Sequence, residues 1–123
     1  MAKVLIVDDD VDVRESLADW LGREHVVCQA AGVPEALLLV GREHPDVVVS
    51  DFEIPPYRGD DLLATIAEQY PHIGRFMHTG SSGKPLGFAY KVAHRVLQKG
   101  CDLCELTGAI REFLRGRHNG TRH

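Results

Sequence analysis

Asp8 and Asp9 stand side by side, Asp51 follows far along the chain, and Thr79 and Lys99 come later still. Clustered carboxylates repel one another, and a hard divalent cation relieves that repulsion. Mg²⁺ suits a few carboxylate oxygens plus waters and leaves room for a phosphoryl oxygen. A carboxylate can also act as a nucleophile and form an acyl phosphate. Charge developing on a transferred phosphoryl group then needs a metal, an ammonium and a hydroxyl around it. In that chemistry Asp51 is the nucleophile, Asp9 a metal ligand, Lys99 the counter-charge and Thr79 the donor. The assignment requires a fold that gathers these distant positions at one place.

The elements that would do so are legible. Val4 to Val7 form an apolar run stopped by Asp8-Asp9-Asp10, the pattern of a strand buried on both faces. Val13, Leu17, Trp20 and Leu21 share one helical face, with Asp10 or Asp12 able to cap its start. A second strand is predicted over His25 to Gln29, and a helix over Val33 to Arg42 with Pro34 in its first turn. Val47 to Val49 predict a third strand ending at Ser50-Asp51, followed by a loop through Pro55, Pro56 and Gly59. Asp60 or Asp61 then caps a helix carrying Leu62, Leu63, Ile66 and Tyr70, which Pro71 ends. Ile73 to His78 predict a fourth strand tipped by Thr79-Gly80, and Ser81 to Pro85 a loop. A short helix follows over Leu86 to Val92, then a fifth strand at Val96-Leu97 ending at Lys99-Gly100. Leu103, Leu106, Ile110, Phe113 and Leu114 mark a final helix, and Gly116 onward reads as a frayed basic tail.

Alternating strands and helices predict a five-stranded, parallel, doubly wound α/β sandwich of the flavodoxin-like type. Ligands of open α/β sheets bind at the carboxyl edge of the strands. Asp8, Asp9, Asp51, Thr79 and Lys99 all fall at that edge. The 123 residues predict one domain over residues 1–116, with a tail over 117–123. Charged residues at 26% and hydrophobic residues at 44% exclude disordered and coiled-coil classes. A net charge of −4 argues against tracking nucleic-acid phosphates. No apolar run approaches a membrane span, and Met1-Ala2-Lys3 runs straight into a strand without a leader, so a cytoplasmic domain is expected.

With these motifs in place, the sequence resembles a response-regulator receiver domain of two-component signalling, the CheY-like fold. The matching stretches are Val4 to Asp10, Pro45 to Asp51, the loop Ile54-Pro55 through Gly59, then Thr79 and Lys99. The likeness is strong from Lys3 to Tyr70 and weak from Gly80 to Gly100. It implies that Asp8 and Asp9 are the acidic pair binding Mg²⁺ together with Asp51 and the backbone carbonyl of Glu53. Asp51 would be the phosphoacceptor, Thr79 the hydroxyl that reports phosphorylation, and Lys99 the partner of the phosphoryl group. The donor would be a sensor histidine kinase or a histidine phosphotransfer protein. Output would pass to an unidentified protein on another chain, and a homodimer is compatible with the family. The domain would modify only itself and turn over no separate substrate.

Three departures from the family pattern set expectations. Lys99 is followed by Gly100 rather than proline, and a non-proline cis bond costs about 2.5–4 kcal/mol. A trans bond is therefore expected, with Lys99 open to displacement. Val96 stands where the family carries an aromatic switch, so no ring rotation is expected. Glu53 and Ser81 occupy the positions that tune phosphoryl lifetime. Two other function classes stay open: an unphosphorylated docking module with the same fold, and a metal-dependent phosphohydrolase with Glu53 as its general acid.

Several residues have a plainer reading. Cys101 and Cys104 form a C-x-x-C without a second pair, which favours core packing over zinc. His78 beside Thr79 reads as a satisfied structural histidine, and Trp20 as core. Leu38 and Leu39 read either as extra core or as a partner patch.

Overall fold

A computed structural model of the chain describes residues 2–80, 87–100 and 103–120, with side chains to Gly116 in the last stretch. The elements, in order, are β1 (Lys3–Val7), α1 (Val11–Leu21), β2 (Val26–Ala30), α2 (Val33–Glu43), β3 (Val47–Ser50), β4 (Glu53–Ile54), β5 (Tyr57–Arg58), α3 (Gly59–Gln69), β6 (Gly74–Thr79), α4 (Gly87–Val92), β7 (Arg95–Gln98) and α5 (Leu103–Gly120). Five strands form one parallel sheet in the order β2-β1-β3-β6-β7. The doubly wound fold expected from the sequence is the fold observed.

Strand side chains alternate between faces, and both faces are covered. Leu5, Val7, Val48 and Met77 pack with Ala36 and Val40 of α2, Leu62, Leu63 and Ile66 of α3, and Ala89 of α4. Val4, Ile6, Val47, Val49 and Phe76 pack with Leu17 and Leu21 of α1 and with Leu106, Ala109 and Ile110 of α5. This burial is why β1 and β3 read as continuous apolar runs. Trp20 packs against the second cluster, and its Nε1 donates to Thr107 Oγ1 at 2.7 Å. Leu39 packs against the first cluster, whereas Leu38 is 61% exposed.

Five local expectations are corrected. The loop after Asp51 contains a short antiparallel ladder, Glu53 opposite Arg58 and Ile54 opposite Tyr57. Two-residue strands beside paired prolines carry no periodicity to read. Neither Asp60 nor Asp61 caps α3, whose N-cap is Arg58 with no side-chain cap bond. Asp60 lies fully buried in the first turn and is paired bidentately by Arg58, at 3.1 and 2.6 Å. β2 begins at Val26, because the His25 N–H donates back to the Leu21 carbonyl at 3.0 Å and closes the turn after α1, while the Val26 N–H donates to the Ala2 carbonyl at 2.9 Å. The last helix runs through Gly116 to Gly120. A helical glycine costs only about 1 kcal/mol, less than a long, well-packed helix supplies. The predicted loop Ser81 to Pro85, the lifetime position Ser81, Leu86 at the expected start of α4, Cys101 of the C-x-x-C, and residues 121–123 of the tail lie outside the described residues, while Cys104, expected in the core, is exposed in the first turn of α5.

Candidate functional site

β1 and β3 are neighbouring parallel strands in the register Val7 opposite Ser50, so the residues that follow their ends meet at one edge. The Asp51 N–H donates to the Val7 carbonyl at 3.0 Å, which extends that pairing into the site. Carboxylate oxygens of Asp8, Asp9 and Asp51 lie within 4.8 Å of one another. Asp8 and Asp51 are buried and Asp9 is exposed. Asp10, expected as a cap, is one: its side chain accepts from the Asp12 and Val13 N–H groups and starts α1.

β6 and β7 bring the other two candidates. The Lys99 N–H donates to the Thr79 carbonyl at 2.7 Å. Lys99 Nζ lies 3.0 Å from Asp51 Oδ2 and 3.2 Å from Asp8 Oδ2, bridging both carboxylates. Among the described residues the only cis bond is Pro55–Pro56, so the Lys99–Gly100 bond is trans, as expected. Displacement of Lys99 does not follow from it. Gly100 takes φ +94°, a conformation open to glycine, and the chain turns there without moving the ammonium out of reach. Thr79 is fully buried beneath the same edge. Val96 is half-buried against the core, a stiff β-branched residue where a ring would stand. Glu53 is exposed in β4, opposite Arg58.

Both Asp51 oxygens are held. Oδ1 accepts from the Phe52 N–H at 2.7 Å and Oδ2 from Lys99, so the carboxylate plane is fixed. Burial pushes the Asp8 carboxyl above the usual carboxylate range; the Asp10 N–H and Lys99 pull it down, and the Asp51 charge adds to the rise. Burial works against the Lys99 ammonium, but Asp51 and Asp8 outweigh it and hold the group above its ordinary value. Two buried carboxylates thus share one ammonium, a charge balance with room for a hard cation. All three acids offer oxygen, the donor type Mg²⁺ requires. The residues fit that ion.

Three neighbours of the site escaped the sequence. The Phe52 N–H acts through the backbone and leaves no mark on residue type. Gly59 donates its N–H to the Phe52 carbonyl at 2.6 Å, and a Cβ built on it would sit 1.8 Å from the Asp51 carbonyl oxygen. Arg14 donates from Nη1 to the Asp8 carbonyl at 2.9 Å. The signal for Gly59 was present as a loop glycine, and only its proximity to Asp51 was not.

His78 is not the satisfied histidine expected. It is 5% exposed, and among the described residues its Nδ1 has no hydrogen-bond partner. Burial pulls its pKa below the usual value, with Lys99 pulling the same way and Asp51 opposing. Burial also pulls His25 down, against the Glu24 charge. A histidine lowered in the folded state contributes full stability above the unfolded value of about 6.5. That contribution is lost as pH falls below about 6.5 towards the lowered folded values. Unfolding free energies from urea titrations between pH 7 and 5 are expected to fall as pH falls, by no more than about 1.4 kcal/mol per histidine per pH unit. His78→Leu should flatten the profile.

The sequence profile described as the response regulator receiver domain matches residues 4–111. The response regulator protein PilR of Pseudomonas aeruginosa is 34% identical over 119 residues, covering 94% of this chain and 27% of that protein. FleR of the same organism is 41% identical over 75 residues, covering 58% of this chain and 15% of that protein. The chain spans well under half the length of these curated relatives. The crystal structure of the signal receiver domain of an HD domain-containing protein from Pseudomonas fluorescens superposes with a TM-score of 0.89 at 30% identity, covering 95% of this chain and 97% of that one.

Proposed function

The chain belongs to the response-regulator receiver family, and on that premise we propose that it accepts a phosphoryl group on Asp51, with Mg²⁺, and thereby switches a protein contact. One observation carries the proposal: Asp8, Asp9 and Asp51 converge within 4.8 Å, and Lys99 reaches both Asp8 and Asp51. A docking module without phosphoryl chemistry does not require that arrangement.

In the proposed transfer, an Asp51 carboxylate oxygen attacks the phosphorus of a phosphohistidine. The P–N bond breaks as the P–O bond forms, and the leaving imidazole nitrogen takes a proton. The Phe52 N–H and Lys99 hold the carboxylate so that its orientation is set before the donor arrives. Lys99 then faces the charge gained on the product, a dianionic group with strong acceptor oxygens. Asp8, Asp9, Asp51 and the Glu53 carbonyl would hold Mg²⁺, which supplies charge neutralisation to the transferring group. The buried Thr79 hydroxyl would turn towards the new acceptor oxygens, carrying the end of β6 with it. With Val96 in place of an aromatic residue, the change would run through that backbone rather than through a ring.

The partners proposed are a sensor histidine kinase or histidine phosphotransfer protein as donor and a protein output. Among the described residues no helix is long and apolar enough to cross a membrane. Intact mass after incubation with acetyl phosphate and Mg²⁺ is expected to show one added phosphoryl group, lost with chelator and absent in Asp51→Asn. No gain with the small donor and no beryllofluoride binding would leave the docking-module reading. Turnover of a small phosphate ester would favour the phosphohydrolase, and none is expected.

A further inference from the structure

Arg14 lies within a few residues of Asp8, Asp9, Asp10 and Asp12, yet its guanidinium pairs with none of them. Among the described residues no carboxylate comes within ion-pair distance of it. It donates instead to two neutral acceptors: Nη1 to the Asp8 carbonyl at 2.9 Å and Nε to Gln29 Oε1 at 3.1 Å. The Asp8 N–H is tied to the same strand end, donating to the Ala30 carbonyl at 3.2 Å. The Asp8 carboxylate takes the Asp10 N–H at 2.9 Å on its other oxygen. The backbone of Asp8 is thus clamped on both sides, once by β2 directly and once through Arg14 and Gln29.

A cation placed beside a cation site costs affinity unless it does something else there. We propose that Arg14 is a positioning residue for the metal site: it fixes the Asp8–Asp9 backbone against the end of β2, so that both carboxylates face Asp51. It spends its hydrogen bonds on backbone and amide oxygens and leaves the acids free. Partners behind the ligands of a metal set its affinity by orienting those ligands. The inference rests on Mg²⁺ binding at Asp8, Asp9 and Asp51.

The two effects of Arg14 differ in sign, which makes the test decisive. Arg14→Met removes the charge and the donors at similar length. If only charge matters, Mg²⁺ binds more tightly. If positioning matters, Mg²⁺ binds roughly tenfold more weakly despite the gain in attraction. Arg14→Lys keeps charge, length and one donor, and should recover most of the affinity. Gln29→Leu, an exposed change without charge, releases the Nε end and should weaken Mg²⁺ binding about threefold. Mg²⁺ affinity would be measured by calorimetry and by the NMR shifts of the Asp8 and Asp9 amides, with melting curves in chelator to verify folding. Arg14→Met binding Mg²⁺ as tightly as wild type, or Gln29→Leu doing so where Arg14→Met does not fold, overturns the positioning role alone. Wild-type protein that takes up no Mg²⁺ overturns the metal site and this inference with it.

Discussion

Gly59→Ala is expected to lower the unfolding free energy by about 3 kcal/mol or more and to abolish phosphoryl uptake in whatever folded protein remains. Helix propensity alone points the other way: Gly59 opens α3, and alanine is favoured over glycine in a helix by about 1 kcal/mol. Space decides the sign. The added Cβ would lie 1.8 Å from the Asp51 carbonyl oxygen and 2.9 Å from its carbonyl carbon, both backbone atoms in the tightest part of the site. No side chain can rotate out of the way, so the Asp51–Phe52 peptide or the start of α3 must move. Either movement breaks the Gly59 N–H bond to Phe52 and shifts the Phe52 N–H that holds Asp51. A urea titration reads the first effect and intact mass with acetyl phosphate the second. A stabilised Gly59→Ala protein would show that Asp51 and Gly59 are not in contact.

Lys99→Met is the second large effect. It leaves Asp8 and Asp51 facing each other without the ammonium that bridges them at 3.2 and 3.0 Å. Removing one partner of a buried pair costs about 3–5 kcal/mol. This crevice is partly open to water, so a loss of about 1–3 kcal/mol is expected in the metal-free protein. Mg²⁺ replaces the missing charge, and its stabilisation should be larger in the variant than in wild type. Burial already holds the Asp8 carboxyl high, and without Lys99 it rises further. A carboxyl raised in this way keeps its proton to higher pH, and the metal must displace that proton. Mg²⁺ binding to the variant should therefore fade at a higher pH than in wild type as acid is added. Melting temperatures with Mg²⁺ and with chelator, across pH 5 to 8, test both statements. Equal stabilisation of the two proteins by Mg²⁺ would remove Lys99 from the charge balance.

The sheet was legible because β1 and β3 are short apolar runs ended by acids, and parallel topology sends every strand end to one edge. The positions of Asp8, Asp9, Asp51 and Lys99 followed from that rule alone. The ladder of β4 and β5 did not, because two-residue strands have no period. The pairing of Asp60 by Arg58 was missed because an acid before an apolar helix usually caps it, and here the acid is turned inward. The contacts of Gly59, Arg14 and His78 depend on distances across elements, which no local pattern encodes. The trans bond at Gly100 was readable from its energy, but the reach of Lys99 across it was not.

The order of the strands has a kinetic side. The acids follow the ends of β1 and β3, which neighbour each other in the centre of the sheet and lie in the first half of the chain. Lys99 follows β7, an edge strand and the last to be synthesised. During folding from the N-terminus, a β2-β1-β3 nucleus would crowd its carboxylates before their ammonium exists. Such a nucleus brings like charges together without Lys99, so a dissolved cation or the closing strand favours its growth. Divalent salt should then act on this protein as a folding accelerant as well as a ligand of its finished state.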